Sequence, residues 1–139
     1  MAAVARNGQE VLVPQTKQEE VRSILVAVDD MFFASKIRGT AESLGVPVTM
    51  IRSASAAEKA LESGTPSLII IDLNSERLDP LGMIRVIKST DSMKFVPIVG
   101  FLSHVQVDLK LKAEEAGCDR VMARSQFTQR LPEILKGGD

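Results

Sequence analysis

This chain of 139 residues has no tyrosine, no tryptophan and a single cysteine. Its one cysteine, Cys118, excludes an internal disulfide, and no cysteine–histidine cluster indicates a zinc site. Phenylalanine, with five copies, is the only aromatic residue, so we expect a mainly aliphatic core. No apolar run is long enough to span a membrane, and the N-terminus lacks the hydrophobic region of a signal peptide. We therefore expect a cytoplasmic protein without a membrane partner.

Acidic and basic residues are also nearly balanced, because 17 basic and 18 acidic residues give a formal net charge of -1. Such a balance gives no support for a protein that binds nucleic acid or a membrane surface. The length and a hydrophobic content of 45% predict one globular domain with a substantial core. Residues 1–21 are polar and lack a long period, so we expect a flexible tail there and the domain over 22–139.

Short apolar runs alternate with helical stretches from residue 22 onward. The runs lie at residues 24–28, 46–51, 68–71, 96–102 and 120–123, and their near-continuous apolar character is typical of strands buried on both faces. Gly45 and Gly117 are expected to end the first and fourth helices, and Asp79-Pro80 to begin the third. Pro132 predicts a last helix that begins late or bends. Five such units predict an α/β fold, a doubly wound parallel sheet with helices on both faces.

Acidic residues stand where two of these runs end. Asp29 and Asp30 follow the first run, and Asp72 follows the third. The carboxyl ends of parallel strands form the ligand-binding edge of such a sheet, so the three carboxylates are expected to converge there. Their mutual repulsion favours a bound cation, and Mg²⁺ prefers this kind of oxygen ligand. As an alternative, Asp29 and Asp30 merely cap the first helix, which leaves Asp72 unexplained.

Other catalytic signatures of α/β folds are absent from the sequence. No GxGxxG or GxxxxGK[ST] loop indicates a nucleotide site, and no GxSxG motif indicates a serine nucleophile. A magnesium-dependent phosphohydrolase is disfavoured, because Leu73-Asn74 after Asp72 lacks the second acid of the Asp-x-Asp pair that such enzymes use. We therefore expect no enzyme, at most a carboxylate that takes up and releases a phosphoryl group beside bound Mg²⁺.

Four segments, taken in their order and spacing, resemble the receiver domain of response regulators. They are ILVAVDD at residues 24–30, IIIDLN at 69–74, VPIV at 96–99 and AGCD at 116–119, and the resemblance covers residues 22–137. It implies a flavodoxin-like (CheY-like) fold, with five parallel strands in the order 2-1-3-4-5 and five flanking helices. It also implies that Asp72 accepts a phosphoryl group. Mg²⁺ would be held by Asp30, Asp72 and the backbone carbonyl of Asn74, with Asp29 holding a water on the metal.

The same alignment identifies departures from the receiver pattern. Leu102 stands where the family has its switch Thr or Ser, Val121 stands at the aromatic position, and Arg124-Ser125 replaces a Lys-Pro pair. Arg124 keeps the positive charge and could grip a phosphate with two nitrogens. Ser103 could replace the missing hydroxyl only after a local shift. These changes fall on the read-out machinery more than on the acidic residues, so the resemblance indicates an atypical receiver.

Two functions remain open at this point. The first is a single-domain receiver in two-component phosphorelay signalling, which takes a phosphoryl group from a sensor histidine kinase or a phosphotransfer protein and acts on a downstream protein. A homodimer through the fourth helix, fifth strand and fifth helix would use Val107, Leu111, Val121 and Phe127. The second is a pseudo-receiver, a protein interaction module that works without phosphorylation.

Overall fold

The computed structural model describes residues 5–6, 8–9, 23–103 and 106–137. Two short antiparallel strands, Ala5–Arg6 and Gly8–Gln9, pair with each other. Most of the tail expected over residues 1–21 lies outside the described residues.

Five βα units follow in the order that the sequence predicts. The elements are β1 (Ile24–Ala27), α1 (Met31–Leu44), β2 (Val48–Ile51), α2 (Ala54–Glu62), β3 (Leu68–Asp72), α3 (Pro80–Ser89), β4 (Ile98–Leu102), α4 (Val107–Ala116), β5 (Arg120–Ala123) and α5 (Arg124–Lys136). The five strands are parallel and lie in the order β2-β1-β3-β4-β5. The predicted α/β class and the 2-1-3-4-5 order are therefore confirmed. No described helix is long and apolar enough to cross a membrane.

The core has two layers, one on each face of the sheet. Successive residues of β1 alternate between them, with Ile24 and Val26 on the face covered by α1 and α5, and Leu25 and Ala27 on the face covered by α2, α3 and α4. Because both faces are covered, strand residues of either parity are buried, which explains the unbroken apolar runs. The α1–α5 side contains the stacked rings of Phe101 and Phe127, whose centroids are 4.7 Å apart.

Helix ends follow the sequence signals at three of the expected positions. Gly45 and Gly117 end α1 and α4 with φ angles of 70° and 116°, which a residue with a side chain rarely adopts. Asp79 caps α3 by accepting a hydrogen bond from the Gly82 N–H, and Pro80 is the first helical residue. Of the two alternatives predicted from Pro132, a late start or a bend, the late start is wrong, because α5 begins at Arg124, directly after β5. Buried side chains on both sides of Pro132 pack on the sheet and keep the helix whole: Phe127, Leu131, Ile134 and Leu135.

One lysine joins three segments at the amino edge of the sheet. The Lys88 Nζ donates hydrogen bonds to the carbonyl oxygens of Lys94 and Val96, at 3.1 and 3.0 Å, and to Asp119 Oδ2 at 3.0 Å. Asp119 also accepts a hydrogen bond of 2.8 Å from the Ile98 N–H, at the start of β4. The end of α3, the start of β4 and the turn before β5 are thereby held together.

Candidate functional site

The acidic residues lie at the carboxyl edge of the sheet, where the sequence places them. Asp29 and Asp30 follow β1 and precede α1, whereas Asp72 is the last residue of β3. Strands β1 and β3 are paired in parallel with Ala27 opposite Ile71, so both strands end at the same edge. Asp29 is close enough to Asp72 for its negative charge to contribute to raising the pKa of Asp72.

Asp30 is the N-cap of α1. Its Oδ1 accepts a hydrogen bond of 3.1 Å from the Phe33 N–H, and this bond is the main reason why the pKa of Asp30 lies below its ordinary value. The capping alternative therefore describes Asp30 correctly. It accounts for one oxygen of the carboxylate only, because Oδ2 faces Arg124 at 3.5 Å.

Asp72 is a buried carboxylate, with 3% of its surface exposed. Its Oδ1 accepts a hydrogen bond of 2.9 Å from the Asn74 N–H, and its Oδ2 lies 3.8 Å from a guanidinium nitrogen of Arg124. Burial raises the pKa of Asp72, while the Asn74 hydrogen bond and the Arg124 charge oppose that rise. The Asn74 N–H and the Arg124 guanidinium thus stabilise the charged form of Asp72, which burial disfavours.

Arg124, the first residue of α5, spans the two carboxylates. Its Nη1 faces Asp30 and its Nη2 faces Asp72, at the distances given above. The guanidinium carbon lies 4.8 Å from the centroid of the Phe33 ring and 5.6 Å from that of Phe101, in the range of cation–π attraction. The Nε of Arg124 is buried and has no hydrogen-bond partner among the described residues. Charge and ring stacking therefore hold this side chain more than hydrogen bonds do.

The side chain of Asn74 connects the acidic edge to the loop after β4. Its Oδ1 accepts a hydrogen bond of 2.7 Å from the Ser103 N–H, and its Nδ2 donates one of 3.0 Å to Gln106 Oε1. The sequence analysis assigned a role only to the backbone carbonyl of Asn74, and it missed Gln106. The available signal was an amide side chain two residues beyond a buried strand, where it can bridge loops.

The oxygen ligands at this edge fit a hard cation. Among residues 23–103 and 106–137, no three acidic, histidine or cysteine side chains gather as a metal cluster. Mg²⁺ does not require one, because it prefers one or two carboxylates and keeps several waters. Asp30 and Asp72 supply two carboxylates at this edge, but Arg124 already contacts one oxygen of each.

No family model and no curated protein matches this chain. Solved structures do match it, and they include response regulators and receiver domains of histidine kinases. The fold is that of a receiver domain. The receiver domain of sensor histidine kinase PA1611 from Pseudomonas aeruginosa, with a magnesium ion coordinated in its active-site cleft, has a TM-score of 0.73 and 23% identity, over 83% of this chain and 94% of that one.

Two further structures with the receiver fold are similar. The phosphorylated cyanobacterial phytochrome response regulator RcpA has a TM-score of 0.71 and 21% identity, over 84% of this chain and 89% of that one. The chemotaxis response regulator CheY4 of Vibrio cholerae has a TM-score of 0.74 and 16% identity, over 84% and 97%. At such identities the likeness establishes the receiver fold, and the site must be argued from this chain's own residues.

The departures from the receiver pattern occupy different environments in this receiver fold. Leu102, at the end of β4, is 3% exposed and packs on the face covered by α2–α4. The residue that the sequence resemblance aligns with the switch hydroxyl is therefore apolar and buried. Of the residues expected to form a dimer surface, Val107 and Leu111 of α4 are exposed and Val121 packs against the same layer as Leu102. The expectation for Phe127 is wrong, because its side chain is fully buried in the core.

Proposed function

We propose that this protein is an atypical receiver of two-component signalling, which accepts a phosphoryl group on Asp72. The donor would be a sensor histidine kinase or a phosphotransfer protein of the cytoplasm. One observation carries the proposal: a buried carboxylate ends the central strand, with a second carboxylate and a guanidinium beside it. The receiver fold of the similar structures supports it.

The chemistry would be a transfer from nitrogen to oxygen. A carboxylate oxygen of Asp72 forms a bond to phosphorus while the bond from phosphorus to the donor imidazole breaks, and that imidazole keeps the electron pair and takes up a proton. Arg124 would bind the transferred group, because a guanidinium matches phosphoryl oxygens with two nitrogens. Burial of Asp72 limits the access of water to the resulting acyl phosphate.

Mg²⁺ would be held by Asp30, Asp72 and the backbone carbonyl of Asn74, and Asp29 would hold a water of the ion. The ion would contribute positive charge that offsets the negative phosphoryl oxygens. Without the ion, Asp30 instead contacts Arg124 at 3.5 Å, which keeps the guanidinium near the acceptor.

A second function is favoured by the surroundings of the β4–α4 loop. Leu102 supplies no hydroxyl, and Asn74 already holds this loop through Ser103 and Gln106 without any phosphate. These two features favour a pseudo-receiver, which binds a partner protein irrespective of phosphorylation.

Intact-mass measurement after incubation with Mg²⁺ and acetyl phosphate separates the two functions. We expect the native chain to gain one phosphoryl group and Asp72→Asn to gain none. Asp91→Asn is the matched control, because the Asp91 side chain is 98% exposed and should not affect the gain. If the folded native chain gains nothing, the receiver proposal is wrong and the interaction module replaces it.

A further inference from the structure

Each carboxylate of the Asp30–Asp72 pair has one committed oxygen and one free oxygen. The Oδ1 of Asp30 accepts the Phe33 N–H, and the Oδ1 of Asp72 accepts the Asn74 N–H. The Oδ2 atoms of both residues face the same guanidinium, that of Arg124. Any cation that binds both free oxygens must therefore meet the Arg124 charge.

We propose that Arg124 is a built-in counter-cation of the acidic site, and that a divalent cation binds Asp30 and Asp72 only when the guanidinium withdraws. In this arrangement the folded chain compensates its buried acid without metal. The proposal deepens the proposed function by adding a control on metal entry, and it rests on that function only for the choice of Asp30 and Asp72 as metal ligands.

The contacts of Arg124 hold its guanidinium near the two carboxylates, but they are weak enough for another cation to displace it. Its distances of 3.5 and 3.8 Å to the two carboxylates are ion-pair distances, longer than the roughly 2.7–2.9 Å of a charge-assisted hydrogen bond. Its Nε is buried without a partner in the described part of the chain. The rings of Phe33 and Phe101 attract the guanidinium through cation–π contacts. Arg124 is thus positioned between two acids without saturating its donors, and a competing cation can displace it.

The position of Arg124 follows from the junction of β5 and α5. The helix begins at Arg124 without any intervening loop, and its N-cap, Ala123, makes no side-chain capping bond. The start of the helix therefore fixes the backbone of Arg124 at the carboxyl edge of the sheet. Phe33 contributes twice, since its N–H binds Asp30 while its ring lies under Arg124.

Calorimetric titration with MgCl₂, in the absence of any phosphodonor, tests the proposal. We expect Arg124→Gln to bind Mg²⁺ about tenfold or more tightly than the native chain, because a positive charge near the ion is removed. Arg85→Gln is the matched control, with the same loss of charge at an exposed position of α3, and should bind like the native chain. Equal or weaker Mg²⁺ binding by a folded Arg124→Gln would overturn the proposal, as would the absence of binding in both proteins.

A second measurement covers the case in which Arg124→Gln does not fold. In the native chain labelled with ¹⁵N, the Arg124 Nε–H resonance should shift as Mg²⁺ is added, because the guanidinium leaves the carboxylates. A resonance that stays unchanged while Mg²⁺ binds would refute displacement. Neither experiment involves phosphorylation, so failure of Asp72 to accept a phosphoryl group leaves these results interpretable.

Discussion

The space where Gly100 would carry a side chain is already filled. A Cβ added to this residue of β4 would lie 2.9 Å from Leu73 Cδ1, 3.0 Å from Leu73 Cγ and 3.1 Å from Cys118 Sγ. Non-bonded carbon atoms normally stay about 3.5–4.0 Å apart. Leu73 and Cys118 are only 3% and 6% exposed, so neither side chain can move into solvent. We expect Gly100→Ala to lower the free energy of unfolding by about 1–3 kcal/mol through overpacking.

Urea unfolding followed by circular dichroism measures this change, and Gly39→Ala provides the matched control. Gly39 lies inside α1, and nothing lies within 4 Å of a Cβ added there. Because alanine is a better helix former, Gly39→Ala should raise the free energy of unfolding by about 0.5–1 kcal/mol. The two alanine substitutions must therefore act in opposite directions.

Shortening Leu73 should relieve the clash. In a double-mutant cycle, Leu73→Val should cost less in the Gly100→Ala background than in the native chain, since the two residues share the same space. A Gly100→Ala protein as stable as the native chain, or additive effects of the two substitutions, would refute the packing argument.

Three further predictions concern titration, loop anchoring and thiol reactivity. Because burial raises the pKa of Asp72 in the folded protein, the folded state binds more protons than the unfolded chain, and stability falls as the pH rises from about 3.8, the ordinary value, through the folded pKa. Asp72→Asn should remove that loss, which urea unfolding at several pH values would show as a smaller decline of stability with rising pH. Asn74→Ala removes the acceptor of the Ser103 N–H, so amide exchange at Ser103 should accelerate, while exchange inside β1 stays as it was. Burial raises the pKa of the Cys118 thiol to about 11, so a thiol reagent should react only as the protein unfolds in urea; rapid labelling of the native protein would contradict this.

The topology followed from the sequence because each strand is buried on both faces and each helix end has a local signal. Strand starts were less accurate. The runs expected at 46–51 and 96–102 begin as strands at Val48 and Ile98. The N–H groups of Val46 and Val96 instead bond to the carbonyls of Ala41 and Met93, in the turns that end the preceding segments. An apolar run in the sequence can thus begin two residues before the strand that it contains.

The edge that carries the site was predictable, but its internal contacts were not. Once two strands are known to be parallel neighbours, the residues after them must share an edge, which placed Asp30 beside Asp72. The contact of Arg124 with both acids depends on a side-chain conformation supported by Phe33 and Phe101, from two distant elements. The bridging side chain of Asn74 likewise depends on how closely two loops approach. Such distances between remote segments are not encoded in any local pattern.

The ammonium group of Lys88 has three protons, and its three hydrogen bonds use all of them. The segments that meet there cannot separate one at a time without leaving at least one of these bonds unmade. Local opening at the amino edge should consequently be cooperative, with the end of α3, the first residue of β4 and the turn at Asp119 exchanging their amide protons as a single unit. The amino ends of β4 and β5 would then open together with the end of α3, while the carboxyl edge, which holds none of these bonds, can rearrange separately.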